Sequence, residues 1–252
     1  MREGIYLSTI VFSLLGLAAG SFINVLSMRV PEGRSVGGRS ACPHCGRMLA
    51  ARDLIPLVSF LLLGGRCRSC GKGISWQYPL VELLGAIVFV LALRMHASIL
   101  PALTLALALS SLLAIAVTDA RTQRIPDAFT IAFVSSAALH AFLTPEWSVW
   151  GIVLGGGFFV VQWIASRGAW IGSGDIGIGI GIGILLGSWE MTLVALAIAY
   201  ILGAIVALFL MAIGRKTRKD AIAFAPFLAL GTVGAVMFGN GIWAAVTSGI
   251  AL

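Results

Sequence analysis

The stretch Gly172-Ser173-Gly174-Asp175-Ile176-Gly177-Ile178-Gly179-Ile180-Gly181-Ile182-Gly183-Ile184-Leu185-Leu186 decides how this chain folds. Its alternation of glycine and isoleucine has the period of a strand, yet a single strand cannot cross lipid outside a closed barrel. Read as a helix, it puts Gly177 and Gly181 on one face and Gly179 and Gly183 on another. Small residues four apart let helices approach closely. That closeness would either bring Asp175 to a partner or serve packing alone, at a real cost in helix propensity. Asp175 is the one ionisable residue in the stretch, and an ionisable group among apolar spans is by default a functional hypothesis.

The surroundings favour the helix. Of 252 residues, 59% are hydrophobic and 11% charged, with mean hydropathy +1.02. A soluble domain of this size would be about a quarter charged. The apolar residues fall in blocks of membrane-spanning length. Eight candidate spans lie near 5–26, 79–94, 99–118, 128–144, 147–166, 174–188, 190–213 and 222–249. Leu17-Ala18-Ala19-Gly20 resembles a signal-peptide cleavage site, but the run is longer than a signal core, and the first block is read as an uncleaved span.

Eight spans put alternate loops on opposite sides. All but Arg2 and Arg94 of the 17 Lys and Arg then fall on one side, including Arg218 and Lys219. That side is the cytoplasm by the positive-inside rule. The formal net charge of +7 is therefore explained by topology, and no nucleic-acid partner is expected.

Residues 28–78 interrupt the apolar pattern and hold all four cysteines. Cys42-Pro43-His44-Cys45-Gly46 and Cys67-Arg68-Ser69-Cys70-Gly71 are two CxxC knuckles, 21 residues apart. Each pair can grip one metal ion, and the following glycine lets the backbone turn so that its amides face the sulfurs. Four thiolates suit a closed tetrahedral zinc site with no open position for catalysis. Disulfides are the rival, disfavoured in a reducing cytoplasm, and redox or unliganded thiols remain open. His44 reads as a bystander. An insert of this size has too small a core to fold without such a staple.

Asp119 follows the apolar run 112–118, at the cytoplasmic end of the third span. Two further crossings return the chain to the same side before Asp175, so both carboxylates should lie at similar depth. Two carboxylates brought close cannot easily both ionise. The ionised one can take a proton from water while the protonated one polarises a carbonyl. Cation or proton transport competes with this reading. The plainer roles are Asp175 capping its helix and Asp119 pairing with Arg121 or Arg124. Asp127 reads as the N-cap of the fourth span.

Taken together, the motifs resemble the bacterial type IV prepilin peptidases, membrane aspartic proteases of the GxGD class. The resemblance runs from Gly20-Ser21-Phe22-Ile23-Asn24-Val25 and Arg29-Val30-Pro31 through the knuckles to Ile74-Ser75-Trp76-Gln77-Tyr78-Pro79-Leu80-Val81-Glu82. It continues with Asp119, Ile125-Pro126-Asp127, Gly172 to Asp175 and Pro226-Phe227-Leu228. It implies that Asp119 and Asp175 are the catalytic pair. It also implies prepilin or pseudopilin substrates, with a short basic leader before a hydrophobic helix, cut after a Gly at the cytoplasmic face of the inner membrane, in pilus or type II secretion systems. Many members also methylate the new N-terminus with S-adenosylmethionine. That activity rests on resemblance alone, since the insert has no Gly-rich nucleotide loop. Glu82 reads either as part of such a site or, preferably, as complementing a helix N-terminus. The chain departs from the family at Gly177, where a Lys is often found, and at Ala225, where a Gly is common.

The expected architecture is an all-α polytopic membrane protein of about eight spans. It divides into 1–27, the zinc-binding insert 28–78 and a seven-helix peptidase portion 79–252. A peptidase without methyltransferase activity, or a transporter or scaffold whose aspartates bind a cation, are the alternatives.

Overall fold

The computed structural model describes residues 2–144, 148–217 and 220–250; Arg218 and Lys219, counted in the charge asymmetry, and the side chain of Arg2 lie outside the described residues. The eight apolar segments are all helices: α1 (Arg2–Arg29), α3 (Gln77–Met95), α4 (Ile99–Thr122), α5 (Asp127–Leu143), α6 (Val149–Ser166), α7 (Ser173–Leu186), α8 (Trp189–Ala212) and α9 (Ala225–Ile250). A five-residue α2 (Val58–Leu62) lies in the insert. Six of the eight are long and apolar enough to cross a membrane; α5 and α7 are shorter, with 17 and 14 residues. The period-two glycine stretch is thus α7, a helix closed by Gly187 in the left-handed conformation at φ 70°.

Composition divides the chain around the insert, whereas packing gathers it into two compact units, 1–106 and 107–252. In the first, α1 lies against α3. A side chain on Gly16 would strike the carbonyl of Gly85, and one on Gly20 the backbone of Val81 and Glu82. Lipid is as apolar as leucine, so close backbone approach, rather than hydrophobic burial, holds such helices together. The polar groups here are paired. Fully buried Asn24 donates to the Tyr78 carbonyl at 3.2 Å and accepts from the Gln77 amide at 3.1 Å. The two sequence motifs 20–25 and 74–82 are therefore two sides of one contact.

Glu82 is buried and accepts the N–H of Leu57 at 2.8 Å. It does complement a helix start, but that of α2 rather than of its own α3. Leu57 itself is held at φ 59°, a costly conformation for a side-chain-bearing residue. At the end of α1, Arg29 donates to the carbonyls of Val36 and Gly37, at 3.0 and 2.7 Å, and so fixes the start of the insert.

In the second unit, α7 is packed between α5 and α6. Its two glycine faces have separate partners. Side chains on Gly179 and Gly183 would enter the backbone of α6 at Gly155 and Gly151, while those on Gly177 and Gly181 would meet Thr130 and Phe133 of α5. Each of these contacts has a testable cost. Gly183→Leu should lower stability in detergent by about 3 kcal/mol, because it drives α6 backbone away. Gly177→Ala should cost far less, since the Thr130 side chain can turn aside. Thermal unfolding of the two variants checks this ordering, and equal losses would contradict it.

Asp127 departs from expectation. It is the first residue of α5, Pro126 occupies the N-cap position, and no side chain caps this end. Its carboxylate therefore favours the helix start through charge alone.

Candidate active site

Asp119 lies in the last turn of α4, and α4 runs on to Thr122. Asp175 lies in the first turn of α7. Both are buried, with 6% and 7% of their surface exposed, and they lie within electrostatic reach of each other. The structure thus brings together the two carboxylates that the sequence singled out.

Each also closes a helix start. Asp119 Oδ2 accepts the N–H of Ala225 at 3.0 Å, with the N–H of Phe224 alongside, where α9 begins. Asp175 Oδ2 accepts the N–H of Gly172 at 3.1 Å, and its own N–H donates to the Gly172 carbonyl at 3.2 Å. Gly172 has no side chain with which to return the bond. The capping role considered for Asp175 is therefore real, and Asp119 shares it. The pairing of Asp119 with Arg121 or Arg124 is replaced by the contact to α9, and no salt bridge to Asp119 is present among the described residues. The Ala225-Pro226-Phe227-Leu228 motif acquires a physical meaning: it is the helix start that Asp119 holds.

The sequence reading missed Tyr200 and Gln162. The half-buried Tyr200 of α8 is within electrostatic reach of Asp175 and donates its hydroxyl hydrogen to Gln162 Oε1 of α6 at 3.0 Å. Its ring stands edge-on to Phe224, with centroids 4.9 Å apart. The available signal was polarity inside otherwise apolar spans, which is as informative for an amide or phenol as for a carboxylate.

The cysteines form a separate cluster in the first unit. All four sulfurs lie within 4.8 Å of one another, and none is in a disulfide. Cys42 and Cys70 are 3.9 Å apart, close to the edge of about 3.8 Å expected of a tetrahedron with 2.3 Å zinc–sulfur bonds. The knuckles repeat each other. Gly46 and Gly71, both at φ 69°, donate to the carbonyls of Cys42 and Cys67 at 2.9 Å. The N–H groups of Cys70 and Ser69 hold the Cys67 thiol down at about 6, whereas, against the N–H of Lys72, burial and the neighbouring sulfurs push Cys70 up to about 11. Arg68 of the second knuckle bonds Asp53 at 2.8 Å. The donor set suits a zinc ion.

The fold and the site define a multi-helical membrane protein built around a buried pair of carboxylates, with a four-cysteine insert near its N-terminus. The chain belongs to the type IV leader peptidase family. Its residues 14–96 match the family model described as the bacterial peptidase A24 N-terminal domain, and residues 106–208 match that of the type IV leader peptidase family. It is similar to a prepilin leader peptidase/N-methyltransferase of Bacillus subtilis, 33% identical over 92% of this chain and 95% of the relative. A protein of the same name from Dickeya chrysanthemi is 33% identical over 91% and 93%. A type 4 prepilin-like proteins leader peptide-processing enzyme of Escherichia coli O78:H11 is 34% identical over 88% and 90%. No solved structure matches the chain.

Proposed function

We propose that this protein is an inner-membrane endopeptidase that removes the leader from prepilins or pseudopilins, with its site facing the cytoplasm. The observation that carries this reading is that Asp119 and Asp175, two buried carboxylates at helix ends, lie within electrostatic reach of each other. One carboxylate, ionised, takes a proton from water as the water oxygen attacks the scissile carbonyl. The other, protonated, donates to that carbonyl oxygen; the first then passes the proton it took from water to the leaving nitrogen as the C–N bond breaks, and the second takes back a proton from the tetrahedral intermediate's hydroxyl. The catalytic portion lies within 79–252. Transport of a cation by the same pair is the second reading, and membrane carboxylates commonly serve it.

The test is cleavage of a prepilin by the purified protein, read by the mass of the mature N-terminus. Aspartate-dependent ion flux without proteolysis would overturn the proposal. Acid should switch the peptidase off, because the general base must be ionised. Cleavage falls as the pH drops and both carboxylates take a proton; a rate undiminished with both protonated would exclude the base role.

The insert is proposed to hold structural zinc through Cys42, Cys45, Cys67 and Cys70. Methyl transfer comes from the names of the relatives, and S-adenosylmethionine would supply the methyl group. In the first unit, the rings of Phe60 and Trp76, with centroids 5.0 Å apart, suit a flat adenine and a sulfonium cation. Arg66 beside them suits a carboxylate. An added methyl on the mature N-terminus separates the two-activity enzyme from a peptidase alone.

A further inference from the structure

Along the outer face of α6 runs a groove of about 730 Å³, from Trp150 through Val153, Gly157 and Val161 to Gln162, with Trp189 of α8 at its Trp150 end. Three observations set it apart from an ordinary lipid-facing surface. The first is Gly157. The other glycines of α6 make close contacts: Gly151 and Gly155 with α7 backbone, and Gly156 with Ile180. A side chain on Gly157 would meet nothing within 4 Å. A glycine in a helix interior is costly, and here no packing within the chain accounts for it. What it does is keep the middle of the groove open.

The second observation is Gln162, the one polar side chain in an apolar lining. It is bonded to Tyr200, which lies within electrostatic reach of Asp175. A hydrogen-bonded polar pair thus stands between the Gln162 end of the groove and the surroundings of Asp175. The third is direction. Gln162 lies one turn from the end of α6, and residues 167–172 lead directly from there to Asp175. From that end the groove extends for about 18 Å of helix rise, away from the carboxylates.

We propose that this groove receives the apolar helix of the prepilin substrate, the segment beyond the scissile bond, and that Gln162 and Tyr200 mark the point where that helix enters the site. The proposal rests on the peptidase reading above. A substrate with an apolar helix must lay it beside the membrane-spanning helices while its scissile bond reaches the aspartates, and this groove joins those two requirements. A lipid chain would be served by any apolar wall and has no use for a polar pair at the active-site end.

The test uses the full chain in membranes, with a photoreactive benzoylphenylalanine at Val153 or Val161 and, as a control, at Ile131, which is exposed on α5. Prepilin should be captured from the two groove positions and not from Ile131. Gly157→Trp, whose ring has open space to fill, should raise the KM for prepilin tenfold or more and leave kcat nearly unchanged. Capture of lipid or of a second copy instead of prepilin overturns the proposal, as does equal capture from Ile131. A Gly157→Trp protein with unaltered KM overturns it too. Failure of the peptidase reading looks different: the unsubstituted chain itself then leaves prepilin uncut.

Discussion

Asp175→Asn and Asp119→Asn are each expected to reduce prepilin cleavage by about a thousandfold or more, within the range lost when a positioned acid or base is removed. Asparagine separates chemistry from architecture here. Its amide oxygen can still accept the N–H of Gly172 or Ala225, so the starts of α7 and α9 stay closed. Alanine removes that acceptor and should cost about 1 kcal/mol of stability at each position. The two substitutions therefore form a diagnostic pair. If the aspartates only cap helices, asparagine is silent and alanine is mildly destabilising. If they form a dyad, asparagine abolishes cleavage with the unfolding temperature unchanged. A normally active Asp119→Asn or Asp175→Asn protein would refute the two-carboxylate mechanism.

The second large effect concerns the insert. Replacing Cys67 and Cys70 together by serine should reduce bound zinc from one ion per chain to none and unfold residues 28–78. Structural zinc sites of this type contribute on the order of 10 kcal/mol. The Arg68–Asp53 pair, half-exposed at its Arg68 end, is a single ion pair at the surface and cannot hold the insert once the metal is gone. Metal analysis and the rate of tryptic cutting at Arg47, Arg66 and Lys72 measure the outcome. Retained metal, or an insert still resistant to trypsin, would show that the thiols are not the staple.

Much of this was legible in the sequence, because the governing rules are local or periodic. Run lengths gave the eight helices, and the spacing of four assigned the α7 glycines correctly to two faces. Counting crossings placed Asp119 and Asp175 at one end, since an even number of spans must return. What stayed hidden were contacts between segments remote in sequence. Nothing local says that Asp119 would close a helix beginning 106 residues later, or that Gln162 would meet Tyr200 across two helices. Asp127 was misread for the opposite reason: the local cap rule was applied one residue too late, because Pro126, with its fixed φ, can itself take the N-cap position.

The brevity of α7 has a consequence for hydrolysis. Its 14 residues rise about 21 Å, some way short of a hydrocarbon core of about 30 Å. A helix with such a mismatch is accommodated by local thinning of the bilayer around it. The water boundary is then drawn inward toward Asp175, at the helix's first turn. A protease that must wet a peptide bond beside a greasy helix gains that access from a segment too short to cross. Lipid thickness thereby becomes a reactant condition, in the same sense as pH.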